Sequence, residues 1–175
     1  NRDAFFLAKG LLDPAIDLSP IKAEYRYVLD KAVLDLQTRG IIKKNYSELP
    51  FEKRISQVLE DSDGELNKYL DITLPQKDIN NKTPMHCGPA VFNLIRNSKL
   101  LDAVEQFIGP EIYSNPTQHV RIKPPAHYLA GTTRVLSEID TTVWHQDAGT
   151  GTFDADHTNT LTVWVSVTEA SIENG

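Results

Sequence analysis

The sequence predicts a single domain of the α+β class, with helices in residues 1–110 and strands in residues 111–175. Three observations support this prediction. Apolar residues recur at helical spacing in the first half of the chain, whereas in the second half they alternate with polar residues. Gly109-Pro110, a typical end of a helix, separates the two patterns. Helices followed by strands of antiparallel type are characteristic of α+β domains.

The composition is that of an ordinary globular protein. The chain has 175 residues, of which 40% are hydrophobic and 24% charged, and this length is enough to bury a core without disulfides. Its net charge of −6 argues against a nucleic-acid or anionic-membrane surface, which needs clustered Lys and Arg. Cys87 is the only cysteine, and the sequence has neither a membrane-spanning apolar run nor a signal-peptide pattern. These features predict a cytoplasmic protein.

The longest predicted helix lies between Ser19 and Gly40. Ser19 is a good N-cap, Pro20 fits the first helical position, and Gly40 ends the pattern. The side chains predicted to be buried are Ile21, Tyr25, Val28, Leu29, Ala32, Val33 and Leu36.

Two more helices are predicted in the first half. One runs from about Leu49 to Glu60 and ends at the turn formed by residues 61–64, after which residues 65–70 add a short helical segment. Residues 75–90 contain three prolines and are predicted to be a loop. The last helix spans Ser98–Ile108. The second helix is expected to bury Phe51, Ile55, Val58 and Leu59.

Three strands are predicted after Pro110. Val120 and Ile122 alternate with polar neighbours, residues 141–147 are strand-like, and residues 160–168 give the clearest alternation. The polar side of this last segment fits either the wet interior of a small ligand-binding barrel or a solvent-exposed face. Its apolar side has Leu161, Val163, Val165 and Val167; its polar side has Thr160, Thr162, Trp164, Ser166 and Thr168.

A possible metal motif lies in Trp144-His145-Gln146-Asp147. In a strand, His145 and Asp147 point to the same side. An imidazole and a carboxylate are two of the three ligands of the 2-His-1-carboxylate triad that holds non-haem Fe(II). The spacing alone also occurs by chance, and a strand histidine hydrogen-bonded to a carboxylate explains it as well. His86-Cys87 offers nitrogen and sulfur ligands, but no second pair that would make a zinc site.

Four segments follow one another in the second half of the chain: Lys123-Pro124-Pro125, Trp144-His145-Gln146-Asp147, Thr162-Val163-Trp164 and Glu173-Asn174-Gly175. In this order and at these spacings they resemble the phytanoyl-CoA dioxygenase family of Fe(II)- and 2-oxoglutarate-dependent oxygenases. The resemblance covers most of the chain, closely after about residue 98 and loosely before it. It implies N-terminal helices packed on a double-stranded β-helix, a jelly-roll or cupin-like core, of which residues 1–175 hold only the first part.

The resemblance also implies the chemistry of the site. It assigns His145 and Asp147 as catalytic iron ligands and Gln146, between them, as a cofactor-binding residue that lines the site. It places Trp164 beside the 2-oxoglutarate cosubstrate and His119 in the cosubstrate pocket. The expected reaction uses dioxygen to hydroxylate an unactivated C–H bond of a small organic substrate, with release of succinate and CO2. Halogenating relatives carry a small residue in place of the carboxylate, so Asp147 favours hydroxylation.

The family pattern continues beyond Gly175. The resemblance implies a second iron-binding histidine and, after it, an arginine that pairs with 2-oxoglutarate. Asn174-Gly175 is a hairpin-turn signal, but no partner strand follows it in residues 1–175. We therefore expect these residues to be the N-terminal part of a longer polypeptide. One alternative is a non-catalytic β-helix binding protein or a degenerate relative; another is a cupin-type hydrolase or isomerase. The substrate and the oligomeric state are not indicated by the sequence.

Overall fold

The computed structural model of the chain describes residues 5–70, 86, 88–114, 119–123 and 159–172. Within these residues the regular structure is helical. A π-helical turn leads into the first α-helix, and the described residues contain four further α-helices. The elements are the π-turn at Pro14–Leu18, α1 at Ser19–Thr38, α2 at Phe51–Asp61, α3 at Asn67–Leu70, α4 at Pro89–Ile95 and α5 at Ser98–Ile108.

Helix α1 forms the centre of the hydrophobic core. All seven side chains that were predicted to face inward are buried, and Leu29, Ala32 and Leu36 are fully excluded from water. A period of 3.6 residues places these positions on one side of the helix, so the predicted helix and its apolar face are confirmed. The π-turn, α2, α3 and α4 pack around α1. Ile42 and Ile122, which lie outside the helices, complete the core.

The start of this helical region differs from the prediction. Ser19 is not the N-cap, because helical structure already begins with the π-turn. The Asp13 carboxylate accepts hydrogen bonds from the backbone N–H groups of Ala15 at 2.8 Å and Ile16 at 2.9 Å, and Pro14 occupies the first helical position. Asp13-Pro14 therefore provides the same cap-and-proline signal as Ser19-Pro20, but earlier in the chain.

The end of α1 follows the prediction. Gly40 has a φ of +71°, in the left-handed region that favours glycine. The backbone N–H of Ile41 donates to the carbonyl of Leu36 at 2.9 Å, which satisfies one of the last helical carbonyls. This turn directs the chain back so that Ile42 enters the core.

Helices α2 and α3 contribute their apolar sides to the same core. Val58 and Leu59 of α2 and Leu70 of α3 are buried, while Phe51 and Ile55 are half-buried against the cluster. The predicted buried side of the second helix is thus confirmed.

The turn between α2 and α3 occurs at the predicted break. Asp63 and Gly64 adopt left-handed conformations, with φ of 48° and 84°. Ser62 is buried at 1% exposure, and its hydroxyl donates to the carbonyl of Leu59 and accepts from the N–H of Leu66, both at 3.2 Å. The buried hydroxyl is therefore fully hydrogen-bonded.

Helix α4 was missed, because its first residues fall in the predicted loop at 75–90. Pro89 occupies the first turn and Gly88 precedes it, which is a recognisable helix start. Residues 75–85 lie outside the described residues. Helix α5 has its predicted bounds: Asn97 caps it by accepting from the N–H of Leu100 at 3.3 Å, and Gly109 follows it with a φ of +90°.

The predicted β-structure is wrong for the described residues. Residues 119–123 and 159–172 form no strand, so neither the α+β class nor a double-stranded β-helix core is present in the part of the chain described here. A strand needs a neighbour to pair its N–H and C=O groups, and alternation of apolar and polar side chains does not by itself provide one. The predicted strand at 141–147 lies outside the described residues.

Candidate functional site

The proposed iron ligands cannot be placed in this architecture. His145, Gln146 and Asp147 lie outside the described residues. Of the residues that the family resemblance assigns to the site, Trp164 and His119 are described. The positions of Trp164 and His119 are therefore the part of the predicted site that can be compared with the structure.

Trp164 lies on the surface with 74% of the side chain exposed. Its apolar neighbours in the same segment are less exposed, at 38% for Leu161 and 44% for Val163, and Val167 packs against the helical core. Leu161 and Val163 of the apolar side are therefore themselves exposed, and Val167 is the residue of that side that contacts the core. On the polar side Thr160, Thr162, Trp164 and Ser166 are exposed, as in the second of the two environments that the sequence allowed, whereas Thr168 is half-buried.

His119 is also exposed, and it immediately precedes a segment anchored on the core. Val120 is half-buried against the hydrophobic cluster, Arg121 is exposed, and Ile122 is 8% exposed. The side chains of Val120 and Ile122 therefore pack this segment against the helical core. This packing places His119 at the surface, just before the point where the chain contacts the core.

The structure brings together a different acid–base pair, formed by Glu24 of α1 and His86. Nε2 of His86 lies 2.9 Å from Oε1 of Glu24, and the side chains are only 17% and 11% exposed. Oε2 of Glu24 accepts a hydrogen bond from the backbone N–H of Ala90 at 2.8 Å. The ring of Tyr25 meets the imidazole edge-on, with 5.2 Å between centroids. A single carboxylate thus joins α1 to both His86 and the first turn of α4.

Gly88 is required for this arrangement. A Cβ atom at this position would come within 3.0 Å of Oε1 of Glu24 and of Nε2 of His86. That separation is shorter than real Cβ atoms show, so a side chain here would displace the pair. The absence of a side chain allows the backbone before α4 to approach α1 closely.

The chemistry open to this pair is that of a hydrogen-bonded imidazole and carboxylate. Such a pair can hold a proton and fix the orientation of the ring. The described residues contain no group of three or more His, Cys, Asp or Glu side chains that could hold a metal ion.

Sequence reasoning considered His86 only as a zinc ligand next to Cys87 and did not single out Glu24. The sequence contained one usable signal, Gly88-Pro89, which marks the start of a helix. Pairing of Glu24 with His86 joins positions 62 residues apart. No local pattern predicts such a contact.

A second polar cluster joins α1 to α3 on the surface. The Tyr69 hydroxyl donates to the Asp35 carboxylate, and Arg39 contacts Asp35 at 3.2 Å and Glu65 at 3.3 Å. The hydrogen bond from Tyr69 lowers the pKa of Asp35, and burial together with that hydrogen bond raises the pKa of Tyr69 to about 12. These shifts favour the forms already present at neutral pH, so the cluster stabilises the helix contact.

Comparison of the chain with models of protein families, with curated proteins and with solved structures gives no match. Among the helices described, none combines the length and the apolar character needed to cross a membrane.

Proposed function

We propose that the chain belongs to an Fe(II)- and 2-oxoglutarate-dependent oxygenase that hydroxylates an unactivated C–H bond of a small organic substrate. The observation that supports this proposal is the segment Trp144-His145-Gln146-Asp147, placed between Lys123-Pro124-Pro125 and Trp164. These segments resemble the phytanoyl-CoA dioxygenase family in order and spacing. The proposal relies on this motif and on no particular architecture of the core.

The donor set of the motif suits Fe(II). A neutral imidazole from His145 and an ionised carboxylate from Asp147 are the nitrogen and oxygen ligands that non-haem iron sites use. Bound iron with 2-oxoglutarate and dioxygen supplies the oxidation, with succinate and CO2 as coproducts. The role of this chain is to hold the metal through His145 and Asp147 and to contact the cosubstrate through Gln146, Trp164 and His119. With its single cysteine, we place the protein in the cytoplasm.

Anaerobic titration of the full-length protein with Fe(II) and then 2-oxoglutarate tests the proposal. We expect binding of one Fe(II) per chain and a charge-transfer absorption that appears only after 2-oxoglutarate is added. Asp147→Ala should lose both signals and all iron-dependent formation of succinate, because it removes the carboxylate ligand. Asp140→Ala, a carboxylate outside the motif, is the matched control and should retain them.

The outcomes separate the candidate functions. Unchanged iron binding and turnover in Asp147→Ala would refute the ligand assignment. If the unaltered protein bound neither Fe(II) nor 2-oxoglutarate, the proposed oxygenase would be wrong and the non-catalytic binding protein would replace it.

A further inference from the structure

Residues 5–18, which lead into α1, contact α5 at both of its ends. At the C-terminal end of α5, the ring of Phe6 packs against the ring of Phe107, with 5.7 Å between centroids. At the N-terminal end, Oδ1 of Asp17 accepts a hydrogen bond from the side-chain amide of Asn97 at 2.8 Å. We call residues 5–18 the strap, because they connect both ends of α5 to the start of α1.

Asp17 is the polar anchor of the strap. Its side chain is 9% exposed, and Nζ of Lys99 lies 3.7 Å from Oδ2. The same Oδ2 accepts the backbone N–H of Asp13 at 2.6 Å, at the start of the π-turn. The Asn97 side chain donates to Asp17 through its nitrogen, while its oxygen accepts the N–H of Leu100 at 3.3 Å. Asp17 therefore holds the strap on α5 and also positions the cap of that helix.

The strap buries little apolar surface. Its three large apolar residues Phe5, Phe6 and Leu7 are between 65% and 76% exposed. Neither the π-turn nor α5 contains a buried side chain, whereas α1 contains seven. Parts of a protein with few buried apolar contacts open locally at a lower free energy than global unfolding requires. We therefore expect the strap and the first turn of α5 to open while α1 stays folded.

The chain provides α1 with a second start for this open arrangement. In the closed structure Ser19 has helical φ and ψ of −58° and −38°, and its hydroxyl donates to the carbonyl of Pro14 at 3.1 Å. Ser19 is therefore not a cap in this state. When the π-turn opens, the Ser19 oxygen becomes available to accept the N–H of Lys22, and Pro20 already occupies the first helical position.

We propose that residues 5–18 are a detachable strap on α5 and that the helix has two alternative starts. Asp13-Pro14 starts it when the strap is closed, and Ser19-Pro20 starts it when the strap is open. Two equivalent cap-and-proline signals in close succession then have separate roles. Opening releases the N-terminal residues and loosens the cap of α5, but it leaves the buried face of α1 on the core.

Native-state hydrogen exchange tests the detachment of the strap. Asp17→Ala removes the anchor, so the amides of Ser19 and Leu100 should exchange about tenfold faster, after correction for intrinsic rates. The Leu29 amide should exchange as in the wild type, because α1 stays folded. Asp102→Ala, which removes an exposed carboxylate of α5, is the matched control and should change none of these rates. An equal increase at Leu29, or no increase at Ser19 and Leu100, would overturn the proposal.

A double-mutant cycle tests the second helix start. In the wild type, Ser19→Ala should change the unfolding constant by less than about twofold, because Ser19 is not the cap of the closed form. In the Asp17→Ala background it should raise that constant about fivefold, which corresponds to loss of an N-cap of about 1 kcal/mol. Equal effects in the two backgrounds would refute the second start.

Asn97→Ser replaces Asp17→Ala in both experiments if the latter does not fold. Serine keeps a good N-cap for α5 but removes the amide that donates to Asp17. The same changes in exchange and the same dependence on Ser19 are expected, and their absence would again overturn the proposal. Neither measurement involves iron or turnover, so the result is independent of the proposed oxygenase function.

Discussion

Replacement of Leu29 by alanine tests the central position of α1. Leu29 is 0% exposed and lies in the cluster to which α2 and α3 also contribute. The substitution deletes buried carbon atoms and leaves a cavity that the surrounding helices fill only in part. Leu→Ala changes at such sites cost about 2.7–5 kcal/mol, and we expect about 3 kcal/mol for Leu29→Ala. For a chain of 175 residues, this corresponds to a decrease in Tm of about 6–12 °C.

The same helix offers a matched control. Leu34 is 67% exposed, so Leu34→Ala removes a side chain that is already largely in water. We expect its free energy of unfolding to stay within about 0.5 kcal/mol of the wild type. Thermal and urea denaturation followed by far-UV circular dichroism measure both variants. Equal losses for the two variants, or a loss below about 1 kcal/mol for Leu29→Ala, would show that α1 does not bury the face described here.

Three further predictions concern a cap, two phenols and the proposed cosubstrate pocket. Asn97→Ala should destabilise the protein by about 1 kcal/mol through loss of the α5 cap, whereas exposed Asn93→Ala should have little effect in the same denaturation assay. Ultraviolet titration should show two of the six tyrosines ionising near pH 12, because Asp61 raises the pKa of Tyr46 and burial raises that of Tyr69. Because folding favours the neutral phenols, the stability that Tyr46 and Tyr69 contribute is present below about pH 10 and is lost as the pH rises towards 12. Ionisation of all six tyrosines near pH 10 would contradict this prediction. Trp164→Ala should raise the apparent KM for 2-oxoglutarate in a succinate assay; an effect on the organic substrate alone would refute its place beside the cosubstrate.

The helical part of the fold was predictable because its signals are local. The apolar period of α1, the left-handed Gly40 and the cap at Asn97 each act within a few residues of the chain. The start of the helical region was misjudged because Asp13-Pro14 and Ser19-Pro20 carry the same signal. Sequence inspection alone gives no reason to prefer the first of two equivalent starts.

The Glu24–His86 contact was not predictable for a different reason. Its geometry depends on the approach of α4 to α1, which Gly88 permits but does not by itself indicate. In a sequence, Glu24 is an ordinary polar residue on a helix. Only the packing of two distant segments reveals that it is shielded from water and in contact with both His86 and the N–H of Ala90.

The wrong strand prediction shows what an alternation of apolar and polar residues in the sequence can and cannot indicate. Burial alternates along Val120, Arg121 and Ile122 although residues 119–123 form no strand. Alternation therefore indicates which side chains share a side, whereas a strand also needs a partner for its backbone groups. The same distinction applies to the proposed iron ligands. For His145 and Asp147 to share a side, the backbone between them must be extended, but no neighbouring strand is needed. The ligand assignment is thus tested by metal binding to Asp147→Ala, independently of the architecture around it.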